Sequence, residues 1–244
     1  MSAAVEATSE KLLTVSSLSK RFGESLALSG VSFEVKTNEI VGLIGPNGAG
    51  KTTLLECVAG LLPRDEGTLE WGGQPDEQLH DYQRLMFYLP DQVLPYAEQY
   101  SLHVLQFFAD MFGTPRDKLT RAIERLGLNE ILGKRVGALS KGYRRRLLLC
   151  ITLLADQRLL VLDEPFDGLD LRQTRQAMEF LRELKHTGKS LLLSIHQIAD
   201  AEKICDRFLL LSNGRLLGYG TADELREKVQ LPIQSLEEVF LALA

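Results

Sequence analysis

Ile40-Val41-Gly42-Leu43-Ile44-Gly45-Pro46-Asn47-Gly48-Ala49-Gly50-Lys51-Thr52-Thr53 is the stretch on which the reading of this 244-residue chain turns. Residues 40–45 form a continuous apolar run, as expected for a strand buried on both faces of a parallel sheet. Residues 45–52 fit the spacing G-x-x-x-x-G-K-[ST]. The segment TTLLECVAGLL that follows has helical spacing. The order strand, glycine-rich turn, helix has a mechanical sense. Glycines let the backbone curl until successive N–H groups point at phosphate oxygens. The helix that begins near Lys51 adds the positive end of its dipole. Gly45, Pro46, Asn47, Gly48, Ala49 and Gly50 are therefore expected to cradle phosphates, with Lys51 reaching the β- and γ-phosphates. The Thr52 hydroxyl is placed to ligate Mg²⁺ and Thr53 to donate to the α-phosphate. The motif predicts a nucleoside triphosphate, not which reaction consumes it.

Leu159-Leu160-Val161-Leu162-Asp163-Glu164 is a second apolar strand, ending in two carboxylates. An acid at the tip of a core strand can hold Mg²⁺, directly or through water. Glu164 is then positioned to polarise an attacking water as general base. Further strands are expected at 12–18, 31–35, 67–73, 86–90, 190–196 and 207–220. Helical periodicity fills 95–155 and the amphipathic stretch that ends at Gly188. Strand and helix thus alternate around a helical insertion near 93–155, an α/β layer architecture. Residues 1–10 are small and polar and read as a mobile tail. Ser235 and Glu238 have capping-box spacing. Leu236, Val239, Phe240 and Leu243 then mark one face of a short helix, docked on its own domain or on another subunit.

Composition removes several classes of function. Hydrophobic residues make up 45% and charged residues 25%, ordinary globular usage that excludes a disordered or collagenous chain. Lys+Arg is 28 against Asp+Glu 33, a net charge of −5, which argues against broad nucleic-acid binding. Cys57, Cys150 and Cys205 form no CxxC pair and read as thiols in a reducing compartment. His80, His103, His186 and His196 show no metal-binding spacing. The first ten residues lack the basic and apolar regions of a signal peptide. The longest nearly apolar run, 147–155, is far short of the roughly 20 residues that span a bilayer. The chain is expected to have no membrane span of its own and to be cytoplasmic.

Leu139-Ser140-Lys141-Gly142-Tyr143 precedes the acidic strand, Gly168-Leu169-Asp170 follows it, and His196 comes after the strand SLLLSI. With the phosphate loop, this ordered set resembles the ATPase subunit of ATP-binding cassette transporters over about residues 12–225. The resemblance implies a P-loop NTPase core, a parallel sheet flanked by helices. It adds an N-terminal antiparallel β subdomain and an inserted α-helical subdomain. The ATPase domain would span 11–225 and a C-terminal helical tail 226–244. Two such domains, alike or different, would meet head to tail and sandwich two ATP molecules with Mg²⁺. Ser140 and the backbone of Gly142 would hold the γ-phosphate of the partner's ATP. His196 would hydrogen-bond that phosphate and the attacking water in its own site, and Asp170 would organise the dimer interface.

Several positions depart from the family pattern. Lys141 and Tyr143 stand where LSGGQ has Gly and Gln. The family's Q-loop glutamine falls where this chain has Asp91, with Gln92 next, and both can reach Mg²⁺ or water. Phe22, in Lys20-Arg21-Phe22-Gly23, replaces a frequent tyrosine. An adenine ring needs only a π-face, so Phe22 serves as well, although an ordinary core phenylalanine is the other reading.

Seven aromatics, Phe87, Tyr88, Tyr96, Tyr100, Phe107, Phe108 and Phe112, crowd into residues 87–112. By resemblance this surface receives coupling helices of an integral membrane permease, which would hold the chain at the inner face of the membrane. Phe107, Phe108 and Phe112 read rather as core of the helical insertion, leaving Tyr96 and Tyr100 as interface candidates. Arg144-Arg145-Arg146 reads as a solvated helix face that opens the helix after the signature. Lys141 and the tail 235–240 look most like cassettes of two-component exporters. The other readings are a soluble cassette acting on nucleic acid or as an assembly scaffold, and a weakly hydrolysing regulator.

Overall fold

Strand patterning of two kinds, alternating and continuously apolar, sorts onto two sheets. The computed structural model describes residues 11–78, 82–91, 93–229 and 235–244. Two long strands open the fold, β1 (Lys11–Phe22) and β2 (Ser25–Lys36), followed by β3 (Ile40–Ile44) and α1 (Lys51–Val58). β4 (Glu66–Trp71) and β5 (Gln74–Pro75) return to β1, giving an antiparallel sheet of order β2-β1-β4-β5. β1 and β2 each run well beyond the expected 12–18 and 31–35. Register shifts punctuate their pairing, and Ser17 has φ 50°. Bulges of this kind break strict alternation while pairing continues, so a period-2 reading stops too early.

The second sheet carries the continuous apolar runs. β6 (Met86–Leu89), β7 (Leu159–Asp163), β8 (Ser190–Ile195), β9 (Arg207–Ser212) and β10 (Arg215–Gly220) join β3 in the order β10-β9-β3-β8-β7-β6. All neighbours are parallel except β10, which folds back on β9. The expected single strand 207–220 is thus a hairpin. Its turn is Asn213-Gly214, both with positive φ (47° and 72°), as a two-residue turn matching strand twist requires. β7 ends at Asp163, so only the first of the two expected strand-end acids lies in the strand; Glu164 leaves it at φ 51°.

Each central strand buries both faces. Ile40 and Ile44 of β3 join one core with Leu160, Leu162, Leu191 and Leu193. Val41 and Leu43 join the other with Leu159, Val161, Leu192 and the β1–β2–β4 sheet. The first core is covered by α2 (Ser101–Met111), α3 (Arg116–Arg125), α4 (Lys141–Leu154), α5 (Leu171–His186) and α6 (Ile198–Ile204). α4 is buried on every side from Leu147 to Leu154, a stretch apolar but for Thr152, whose hydroxyl donates to Leu148 O.

α7 (Ala222–Val229) and α8 (Leu236–Leu243) close the chain. α7 runs straight across residue 225, since Leu225 is fully buried in the main core. Ser235 and Glu238 form the capping box of α8, and Leu236 and Val239 are fully buried in the same core. The terminal helix therefore docks on its own chain. Among the described residues no helix is long and apolar enough to cross a membrane.

Candidate functional site

The loop between β3 and α1 is held open by its glycines and braced from below. Gly50 is left-handed, φ 102°, at the N-cap of α1. A Cβ on Gly45 would lie 2.2 Å from the Leu211 carbonyl oxygen, so no side chain fits there. Gly214 N–H donates to Ala49 O at 2.9 Å, and Ser29 N–H to Gly214 O at 2.8 Å, so the β9–β10 turn pins the loop. Lys51 is buried and donates to Gly45 O (2.9 Å) and Pro46 O (3.3 Å). Burial lowers its ammonium below the ordinary lysine value, while Glu164 and Asp163 pull it back up.

A groove of about 550 Å³ lies over this loop. Asn47, Gly48, Gly50, Lys51, Thr52 and Thr53 line it, together with Phe22 and Glu164. Phe22 is 52% exposed, which rules out the core-phenylalanine reading. Lys20 Nζ sits 5.7 Å from that ring.

The acidic end is a short chain of hydrogen bonds. Asp163 is fully buried and accepts from Thr52 Oγ1 at 2.8 Å, which ties the second motif to the first. Its other oxygen accepts from Ser194 Oγ, and that same hydroxyl accepts the Glu164 N–H at 2.8 Å. Ser194 was invisible to motif reading. Its signal was a hydroxyl inside the apolar strand SLLLSI, where a buried polar group needs a partner. Glu164 Oε1 lies 2.7 Å from His196 Nε2. Burial pushes the Glu164 carboxyl up, and Asp91 and Asp163 add to that, while His196 and Lys51 oppose it. Glu164 also lines a second cleft of about 320 Å³ with His196, Asp167 and Gly168, so it stands where the two hollows meet.

Ser140 and Gly142 lie elsewhere. Neither lines the groove over the phosphate loop. Ser140 caps α4, accepting Tyr143 N–H at 3.4 Å. A Cβ on Gly142 would sit 3.1 Å from Gly168 O, so the signature packs on the segment after Glu164 of its own chain. Lys141 Nζ is 2.6 Å from Asp167 Oδ2. Asp170 caps α5 in a reciprocal box, accepting Gln173 N–H at 2.8 Å while its own N–H donates to Gln173 Oε1 at 3.3 Å.

Two expectations about side chains change. The arginine run is not a solvated face. Arg145 is buried against Asp91 at 2.6 Å, and Arg146 stacks over Tyr143 (4.2 Å) while donating to Leu126 O. Phe107 is 48% exposed rather than core, packed edge-on to exposed Tyr96 at 5.5 Å. It sits on the outer side of α2, whereas Phe108 and Phe112 pack against the main core. Asp91 is paired with Arg145; Gln92 lies outside the described residues.

Comparison with known proteins places these features in company. A family model described as ABC transporter matches residues 28–167. The chain is 32% identical to the ABC-type transporter ATP-binding protein EcsA of Bacillus subtilis over 237 residues, which cover 95% of this chain and 96% of that protein. It is 36% identical to the Nod factor export ATP-binding protein I of Ralstonia nicotianae, over 89% of this chain and 69% of that protein. A solved structure of an ATP-binding subunit of an ABC transporter superposes with a TM-score of 0.86 at 32% identity, covering 95% of this chain and 99% of that one.

Proposed function

This chain belongs to the ABC transporter family as an ATP-binding, ATP-hydrolysing cassette, and from that premise we propose that it works in pairs to drive export through a separate membrane permease. One observation carries the hydrolytic half of this reading. The Glu164 carboxylate, held by His196, lines the same groove as Lys51, Thr52 and Phe22. That shared lining supports reading Glu164 as the base, Lys51 and Thr52 as part of a phosphate cradle, and Phe22 as the aromatic platform.

In the mechanism we infer, Phe22 stacks the adenine and the loop N–H groups of residues 47–53 hold the phosphates. Lys51 offsets charge on the β- and γ-phosphates. The Thr52 hydroxyl and the buried Asp163 carboxylate, already 2.8 Å apart, are hard oxygen donors that fit Mg²⁺. When bound, Mg²⁺ neutralises charge that develops on the phosphates. Glu164 takes a proton from a water as its oxygen attacks the γ-phosphorus. The bond from that phosphorus to the β,γ-bridging oxygen breaks, leaving ADP and inorganic phosphate. His196 keeps the Glu164 carboxylate aimed into the groove and reaches the γ-phosphate.

Gly142 faces Gly168 and Gln173, Ser140 caps α4, and neither lines the groove. They reach a γ-phosphate only when a second cassette, of this chain or another, supplies it head to tail, with Asp170 at the seam. Exposed Tyr96, Tyr100 and Phe107 supply the aromatic anchors on which permease helices dock. That docking holds the cassette at the cytoplasmic face of the membrane. Export follows the name of the Nod factor relative and the exporter-like signature and tail.

The test is to purify the tagged chain from detergent-solubilised membranes and assay phosphate release. The expected result is an integral membrane protein held in fixed stoichiometry, with ATP hydrolysis in the complex. Recovery of an active chain with no membrane protein bound would contradict the transport half. Tyr96→Ala with Tyr100→Ala is expected to break that association.

A further inference from the structure

Three carboxylates crowd together where the two clefts meet. One oxygen each of Asp91, Glu164 and Asp167 lies within 4.8 Å of the other two. Like charges this close repel and resist joint ionisation. The bond-breaking step uses Glu164, so something must hold the other two beside it.

That something is Arg145, in the second turn of α4. Arg145 Nη2 donates to Asp91 Oδ1 at 2.6 Å, and its Nε donates to the Asp167 carbonyl oxygen at 3.3 Å. The Arg145 side chain is 5% exposed, so water screens little of this attraction. One turn earlier, Lys141 meets the Asp167 carboxylate but is 64% exposed, and surface pairs of that kind contribute little. Residues 141 and 145 share a helix face by their i,i+4 spacing. The helix begins directly after Ser140, its N-cap. The helix that starts at the signature residues thus also carries, one turn on, the buried cation that holds Asp91 beside Glu164.

We propose that Arg145 is a positioning residue for ATP hydrolysis: by gripping Asp91 and the Asp167 carbonyl together, it fixes the walls that pack around Glu164 and so sets that carboxylate against the nucleotide groove. This rests on Glu164 acting as the base. The planar guanidinium is the group for the task, because its fork reaches two acceptors held at a fixed angle. An ammonium keeps the charge and loses the fork. A residue that merely neutralised Asp91 would be replaceable by lysine without kinetic cost; a positioning residue would not.

Steady-state ATPase assays on the purified full chain separate these. For Arg145→Lys, expected to fold because the buried charge stays balanced, kcat should fall roughly tenfold with KM for ATP within about twofold, the loss that slight misplacement of a reacting group brings. For Arg145→Met kcat should fall further, with KM again nearly unchanged at a temperature well below its melting point. A parental kcat in Arg145→Lys overturns the proposal, as does a KM effect without a kcat effect. If Arg145→Met does not fold, Arg145→Lys alone decides. Glu164→Gln is run alongside. Parental turnover in that variant sinks the assignment of the base. Turnover lost in Glu164→Gln but untouched by Arg145→Lys sinks the positioning role alone.

Discussion

Ser194 sets two acids with one hydroxyl. It donates to Asp163 and accepts the Glu164 N–H, so the proposed metal-binding carboxylate and the proposed base share a single support. Glu164 needs that support, since a non-glycine residue at φ 51° sits in a sparsely populated region. Ser194→Ala leaves a fully buried carboxylate and a backbone N–H each short of a partner. The expected loss is about 1–3 kcal/mol of stability, read as a lower melting temperature, together with reduced turnover; an unchanged melting curve would contradict it. Glu164→Gln keeps the shape of the side chain and removes its basicity. Phosphate release should fall roughly 10²–10⁴-fold while an ATP titration still saturates. At this scale the sequence was readable where chemistry shows as spacing, as in 45–53 and the acids that follow Leu162. Ser194 was not, because a serine in a buried strand has the same letters whether it supports an active site or a neighbouring strand. The Arg145–Asp91 pair was hidden for another reason. Its members lie on different elements, and only the fold brings them within 2.6 Å.

The elements impose their own tests. The strand–loop–helix unit depends on Gly45 for close approach rather than for unusual dihedrals. An alanine there drives Cβ to 2.2 Å from Leu211 O, a backbone atom that cannot rotate away. Gly45→Ala should cost roughly 1–3 kcal/mol through overpacking and weaken ATP binding by displacing the loop from the β9–β10 turn. Nucleotide affinity equal to the parental value would refute this. Glu39, at the entrance to β3, offers a test by pH. It is buried, accepts Lys36 N–H at 2.9 Å and lies 3.8 Å from Arg207 Nε; burial pushes its carboxyl up. Below the ordinary glutamate range both folded and unfolded chains carry the proton, and the shift has no effect on stability. As pH rises the unfolded chain ionises first, so the native state loses ground until the folded group ionises too. Glu39→Gln escapes that loss. Its melting temperature relative to the parental chain should therefore be more favourable at pH 7 than at pH 4; a constant difference would contradict the assignment. The buried parallel strands were legible as apolar runs. The full length of β1 and β2 was not, because bulges interrupt the alternation that marks a half-buried strand.

Over the whole molecule, one sheet separates two cores, and the groove opens along the edge where β3 and β7 end. The family order of motifs was legible from end to end, and with it the α/β architecture. Surfaces were less so. Phe107 has the composition of a core residue and the position of an anchor, and only the orientation of α2 tells the two apart. The signature residues lie at the start of α4, Gly142 facing Gly168 and Gln173, while the phosphate loop opens into a groove they do not line. The proposed mechanism joins these two surfaces across two cassettes. The direct measurement is a structure of Glu164→Gln trapped with ATP and Mg²⁺. Head-to-tail pairing predicts Ser140 Oγ of one protomer at hydrogen-bonding distance, about 2.5–3.0 Å, from a γ-phosphate oxygen bound by the other. An ATP fully enclosed by a single protomer, with the neighbouring signature far from its terminal phosphate, would contradict it.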